Sequence, residues 1–122
     1  MTETLGTRFA HAIAAKDADA LRGLLADDVD FRGLTPGRTW EGTGPDDVLQ
    51  TVFGSWFEDT DRIEQVEHVQ DGDDVADTAR VSYRFDLSNA DGDFVVEQQV
   101  YYRGGESIDY LRVLCSGFRR RR

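Results

Sequence analysis

Apolar residues along this chain follow two successive periods. From Thr7 to Ala26 they recur at helical spacing, with Phe9, Ala12 and Ile13 first and Leu21, Leu24 and Leu25 later. Ala15-Lys16-Asp17 interrupts that pattern, which predicts two short helices, the second capped by Asp17. Asp27-Asp28 then ends the helical pattern, and Val29-Asp30-Phe31-Arg32 alternates as a strand does. Gly33 to Gly44 reads as a loop, punctuated by Pro36-Gly37 and Gly42-Thr43-Gly44. Pro45 opens a third helix, with Asp46 and Asp47 in the first turn, where the helix dipole favours negative charge. Its apolar stripe runs through Val48, Leu49, Val52, Phe53, Trp56 and Phe57.

The second half shifts to a period of two. Ile63 to Gln70 and Val75 to Leu87 read as strands, with Asp71-Gly72 as the hairpin turn between them. Asp91-Gly92 turns into Phe94 to Arg103, and Gly104-Gly105 turns into Ser107 to Phe118. Helices followed by a meander of four long strands make an α+β plan. Ala79, Val81, Tyr83 and Phe85 share one face of their strand, while Arg80, Ser82, Arg84 and Asp86 share the other. Phe94, Val96, Gln98 and Val100 likewise oppose Val95, Glu97, Gln99 and Tyr101. The apolar face should meet the helices. The face carrying Arg80, Arg84, Glu97, Tyr101, Arg103, Tyr110 and Arg112 is either solvated or an interface with a second subunit.

Composition narrows the classes. At 122 residues the chain suits one domain, expected over residues 1–118 with a basic tail at 119–122. The net charge of −10 argues against a nucleic-acid partner, and the Arg119 to Arg122 tail reads as a frayed, solubilising end. No apolar run is long enough for a membrane span, and the N-terminal stretch lacks the basic-then-apolar order of a signal peptide. Cys115 is the only cysteine, which excludes an internal disulfide and fits a reducing cytoplasm.

Motifs for metals and cofactors are missing, so neither is expected. Asp71-Gly72-Asp73-Asp74 lacks the further ligands and closing glutamate of a calcium loop. Gly42-Thr43-Gly44 lacks the ending of a phosphate loop. Cys115 sits among apolar strand residues, and His11 and His68, the only histidines, stand at no recognisable spacing from it. His11 leans away from the face shared by Phe9 and Ile13.

The order of elements resembles the nuclear transport factor 2-like superfamily, which includes SnoaL-like polyketide cyclases and ketosteroid isomerase. The segments that carry the resemblance are RFAHAIAAKDADALRGLLADDVDF, WEGTGPDDVLQTVF and IDYLRVLCSGF. It implies a cone-shaped α+β fold, a curved antiparallel sheet wrapped around two to three N-terminal helices, commonly paired as a homodimer through the outer sheet face. It also implies a ligand pocket at the open end of the cone. Its expected lining is Phe9, Phe31, Trp40, Phe53, Trp56 and Tyr83, completed by Phe85, Gln98, Leu111, Val113 and Cys115. So many aromatics suit a small apolar or aromatic molecule.

The catalytic set of the isomerases does not carry over. Counting along DDVDFRG, the position of their aspartate base falls at Gly33, their helix tyrosine at Phe9, and their protonated acid near Gln98. An aspartate base with a Tyr and neutral-Asp oxyanion hole is therefore not implied here. Asp27, Asp28 and Asp30 read as structural, the first two ending a helix and the third pointing outward. Tyr83 and Gln98 remain the polar groups expected on the inner face, satisfied by each other or by a ligand. Two readings result: a small-molecule-binding protein, with isomerisation or cyclisation of a carbonyl compound as its chemistry if it has any, or a dimeric interaction module working through the outer face. An enzyme using Cys115 or another acid is a third.

Overall fold

The computed structural model describes residues 3–121. Helix α1 (Leu5–Ala14) starts at Thr4, whose hydroxyl accepts the Thr7 amide at 3.1 Å. Helix α2 (Ala18–Gly23) is capped by Asp17 as the sequence predicts, its carboxylate accepting the Ala20 amide. Between them Lys16 takes a left-handed φ of 53°, and its ammonium donates to the carbonyls of Glu58 and Asp61. Helix α3 (Pro45–Thr51) has Pro45 in its first turn and runs on into a π-turn, Val52–Trp56, closed by Phe57 N–H on the Val52 carbonyl. The wider turn carries Trp56 and Phe57 to the buried side together.

Seven strands form one curved sheet: β1 (Leu25–Thr35), β2 (Arg38–Thr43), β3 (Arg62–Val75), β4 (Thr78–Asn89), β5 (Gly92–Arg103), β6 (Ile108–Cys115) and β7 (Arg119–Arg120). Their order is β2-β1-β6-β5-β4-β3, with β7 beside β5, and only β1–β6 runs parallel. This three-helix, curved-sheet α+β architecture is the one the resemblance implied. The two faces divide as the alternation predicts. Val81, Tyr83, Phe85 and Leu87 of β4 and Val96, Gln98 and Val100 of β5 are buried, and they pack with Phe9, Ile13, Leu21, Phe31, Leu111 and Val113 into one core.

Four local expectations change. The predicted loop at Gly33 to Gly44 contains strand β2, hydrogen-bonded to β1 around a turn at Pro36-Gly37. Asp27 and Asp28 do not end a helix; α2 stops at Gly23, and both aspartates are exposed within β1. The Asp71-Gly72 turn is instead continuous β3, and the hairpin turns at Ala76-Asp77, between the paired Val75 and Thr78. Asp71 is held in the strand by hydroxyl donors from Thr4 and Thr7 at 2.8 and 3.3 Å. Finally, Arg119 to Arg121 of the basic tail are not frayed: Arg119 and Arg120 pair with Val95 and Phe94, and Arg121 approaches Asp86 at 3.7 Å, while Arg122 lies outside the described residues.

Candidate functional site at the mouth of the cone

Strands β4, β5 and β6 bring three polar side chains into one row. Tyr83 pairs with Gln98, and Gln98 pairs with Cys115, so all three project from the inner face. The Tyr83 hydroxyl donates to Gln98 Oε1 at 2.5 Å. That bond fixes the amide and leaves Nε2 as its free end. Gln98 is 1% exposed, and its Nε2 has no hydrogen-bond partner among the described residues. A buried donor without a partner costs about 1–3 kcal/mol, so this group is a strong reason to look for a ligand. Burial raises the pKa of the Tyr83 phenol well above its ordinary value, with Cys115 adding to the effect, so Tyr83 stays a neutral donor.

Two cavities open beside this row and share Thr35 and Cys115. The larger, about 580 Å³, lies between the β1–β2 turn and the end of β6 and opens on the outer face, where Leu34, Glu97, Gln99, Leu114 and Arg119 line it beside Gln98 and Cys115. The smaller, about 250 Å³, is more apolar, lined by Trp40, Ser55, Trp56, Phe57, Gly117 and Phe118. The chain between β6 and β7 shapes both. Gly117 has a left-handed φ of 76°, and its amide donates to Cys115 Sγ at 3.4 Å. The resulting kink brings Phe118 against Phe57 and Phe94, with ring centroids 6.1 and 6.0 Å apart.

Trp56 limits how deep the cone remains open. Its ring lies 5.9 Å from Phe31 and meets Trp40 edge-on at 6.1 Å. A Cβ added at Gly33 would come within 2.7 Å of Trp56 Cη2 and Cζ2. The indole thus occupies the space beside the position to which the resemblance assigned a catalytic base. Trp56 is itself 7% exposed, with Nε1 unpartnered among the described residues.

The eleven expected lining residues divide accordingly. Trp40, Trp56, Gln98 and Cys115 line the cavities. Phe9, Phe31, Tyr83, Phe85, Leu111 and Val113 are buried core instead, and Phe53 packs against that core half-buried. Sequence reasoning missed Thr35, Ser55, Phe57, Gly117 and Phe118. Phe57 was visible only as part of a helical stripe, and Gly117 was the one local hint of the kink.

Carboxylates are absent from the lining of the apolar cavity. Asp61, a buried acid nearby, is committed to the Glu58 amide and the Asn89 side chain at 3.1 and 2.9 Å, clasping the turn before β3. His11 and His68 are exposed on the outside. Asp30 also points out and pairs with Arg112 at 3.3 Å. Among the described residues no three His, Cys, Asp or Glu side chains converge as metal ligands, and no helix is long and apolar enough to cross a membrane.

The family model for the SnoaL-like domain matches residues 7–121. The chain belongs to that family. Among solved structures, a protein designated an isomerase from Rhodopseudomonas palustris shares 20% identity at a TM-score of 0.71, covering 96% of this chain and 93% of that one. An epoxide hydrolase of the LEH-like type from M. tuberculosis shares 13% at 0.65, covering 92% and 80%. A protein of ketosteroid isomerase-like fold from Catenulispora acidiphila, solved with trimethylamine, shares 21% at 0.62, covering 95% and 88%. At these identities the likeness concerns the fold. No curated protein matches the sequence.

The Gly33–Trp56 contact yields a direct prediction. Gly33→Ala should lower stability to urea by about 1–3 kcal/mol, because the new methyl forces the indole to move. The same change in a Trp56→Phe background should cost clearly less, and equal costs in both backgrounds would disprove the contact.

Proposed function

We propose that this SnoaL-like protein binds a small apolar or aromatic molecule bearing a hydrogen-bond acceptor, such as a carbonyl. The observation that carries the reading is the buried, partnerless Nε2 of Gln98, held in place by Tyr83. The aromatic lining of the smaller cavity, which Gln98 meets only through its cross-strand neighbour Cys115, suits a flat apolar body. Of the three buried side-chain atoms without a partner among the described residues, the two nearest the apolar cavity, Gln98 Nε2 and Trp56 Nε1, are both donors, which favours a ligand that accepts. Any chemistry at the site would then rest on orientation and on polarising a carbonyl, as in isomerisation or cyclisation, rather than on a carboxylate base.

The chain's only two tryptophans, Trp40 and Trp56, both line the apolar cavity, so tryptophan fluorescence reports on it selectively. Titration with 2-acetylnaphthalene should change the emission saturably. 2-Ethylnaphthalene, which lacks the acceptor, should bind about tenfold more weakly, the worth of one hydrogen bond to an otherwise orphaned donor. Replacing both partners, Tyr83→Phe with Gln98→Met, should abolish that preference. Equal affinity for the two probes, or no saturable response to either, would contradict the reading.

A second reading concerns assembly with another copy of the chain. Leu34 and Leu114 are paired neighbours on the outer face, 49% and 46% exposed. Beside them Arg103 and Arg112 stack on the Tyr110 ring at 4.2 and 4.0 Å. An apolar pair rimmed by stacked Arg and Tyr has the composition of an interface core. Analytical ultracentrifugation should find a dimer that Leu34→Glu with Leu114→Glu converts to monomer. A wild-type monomer at micromolar concentration would contradict it.

A further inference from the structure

A further cavity adjoins the apolar one. It measures about 340 Å³ and lies between the turn before β3 and the β4–β5 hairpin, where Glu58, Asp61 and Asp91 line it. Ser55, Trp56 and Phe118 line this cavity and the apolar one alike. These three residues are therefore the wall between them. Trp56 is fixed in that wall, because Phe31, Trp40 and Gly33 crowd its indole. Phe118 is the more accessible part, 36% exposed and packed on Phe57 and Phe94. The backbone is anchored on either side of it. Gly117 makes its left-handed turn just before, and Arg119 and Arg120 pair with β5 just after. The anchored ends hold the ring between an apolar compartment and an acidic one.

We infer that Phe118 is a specificity-determining residue that limits the size of the ligand, an inference that rests on the ligand reading above. With the ring in place, a flat molecule has the apolar cavity of about 250 Å³ and no more. A longer one must push Phe118 off Phe57 and Phe94 and lose those aromatic contacts. Its far end must then enter the acidic cavity, where an apolar body takes water from carboxylates and returns no hydrogen bond. Both costs act against length, and neither acts against a compact molecule. The class selected is compact carbonyl compounds of about two fused rings, in preference to extended polycyclic ones.

The test compares tryptophan emission on titration with 2-acetylnaphthalene and with 2-acetylphenanthrene, which adds one fused ring and keeps the acceptor. The wild type should bind the larger ketone about tenfold more weakly than the smaller. Phe118→Ala should shrink that gap to about twofold or less, and Phe118→Leu, which keeps an apolar side chain in the wall, should fall between. A second measurement needs no ligand. In a Trp40→Phe background Trp56 is the only tryptophan, and Phe118→Ala should raise its quenching by acrylamide on the order of twofold, since the packed wall beside it is opened. A gap between the ketones, or a quenching constant, that Phe118→Ala leaves unchanged would overturn the inference. A wild type that binds both ketones equally would also overturn it, while leaving the ligand reading in place. If neither ketone gives a saturable response in any of these proteins, the ligand reading itself falls, and the size limit with it.

Discussion

The hydrogen bond from Tyr83 to Gln98 is the constraint on which the inner face turns. Both side chains are buried among apolar neighbours, where each polar atom must find a partner or carry a desolvation cost. The phenol has one proton to give, and giving it to Oε1 leaves the amide nitrogen facing outward from the pair without a partner. A hydrophobic pair at these two positions would have packed with no such deficit. The polar row instead places a fixed, uncharged donor beside a cavity, a preorganised element suited to holding an acceptor.

Packing decides what the cavity can be. The π-turn after α3 swings Trp56 over Gly33, and Phe31 and Trp40 close around the indole. The deep cone expected from eleven inward residues is therefore mostly filled, and the apolar cavity that remains lies at the mouth, where the Gly117 kink delivers Phe118. Curvature of the sheet and the loss of side-chain volume at Gly33 act together: without the glycine the tryptophan could not lie where it does. The smaller, apolar cavity is thus shaped by residues from β2 and the nearby π-turn together with the β6–β7 connection, which lies far from both in sequence.

Local chemistry made much of the fold legible. Asp17 as a cap, Pro45 as a helix start and the alternation of β4 and β5 are short-range signals, and all three hold. What escaped depends on distant partners. Strand β2, Arg-Thr-Trp-Glu-Gly-Thr, has little apolar alternation and exists because β1 pairs with it. Asp71-Gly72 has the strongest local turn signal of its hairpin. It is overridden by cross-strand pairing and by the Thr4 and Thr7 hydroxyls that hold Asp71. The lining aromatics were legible as inward-facing, but facing inward does not distinguish a core residue such as Phe85 from a cavity residue such as Trp40. That distinction is set by the volume of neighbours contributed from elsewhere in the chain.

The central claim is that the Gln98 amide nitrogen is a buried, free donor awaiting an acceptor. Its side-chain ¹⁵N–¹H₂ resonances, followed by NMR as 2-acetylnaphthalene is added, test this most directly. The account predicts amide protons that exchange slowly with water and move downfield as the ketone binds, with little change on adding 2-ethylnaphthalene. Rapidly exchanging protons, or resonances that ignore the ketone while the tryptophans respond to it, would contradict it.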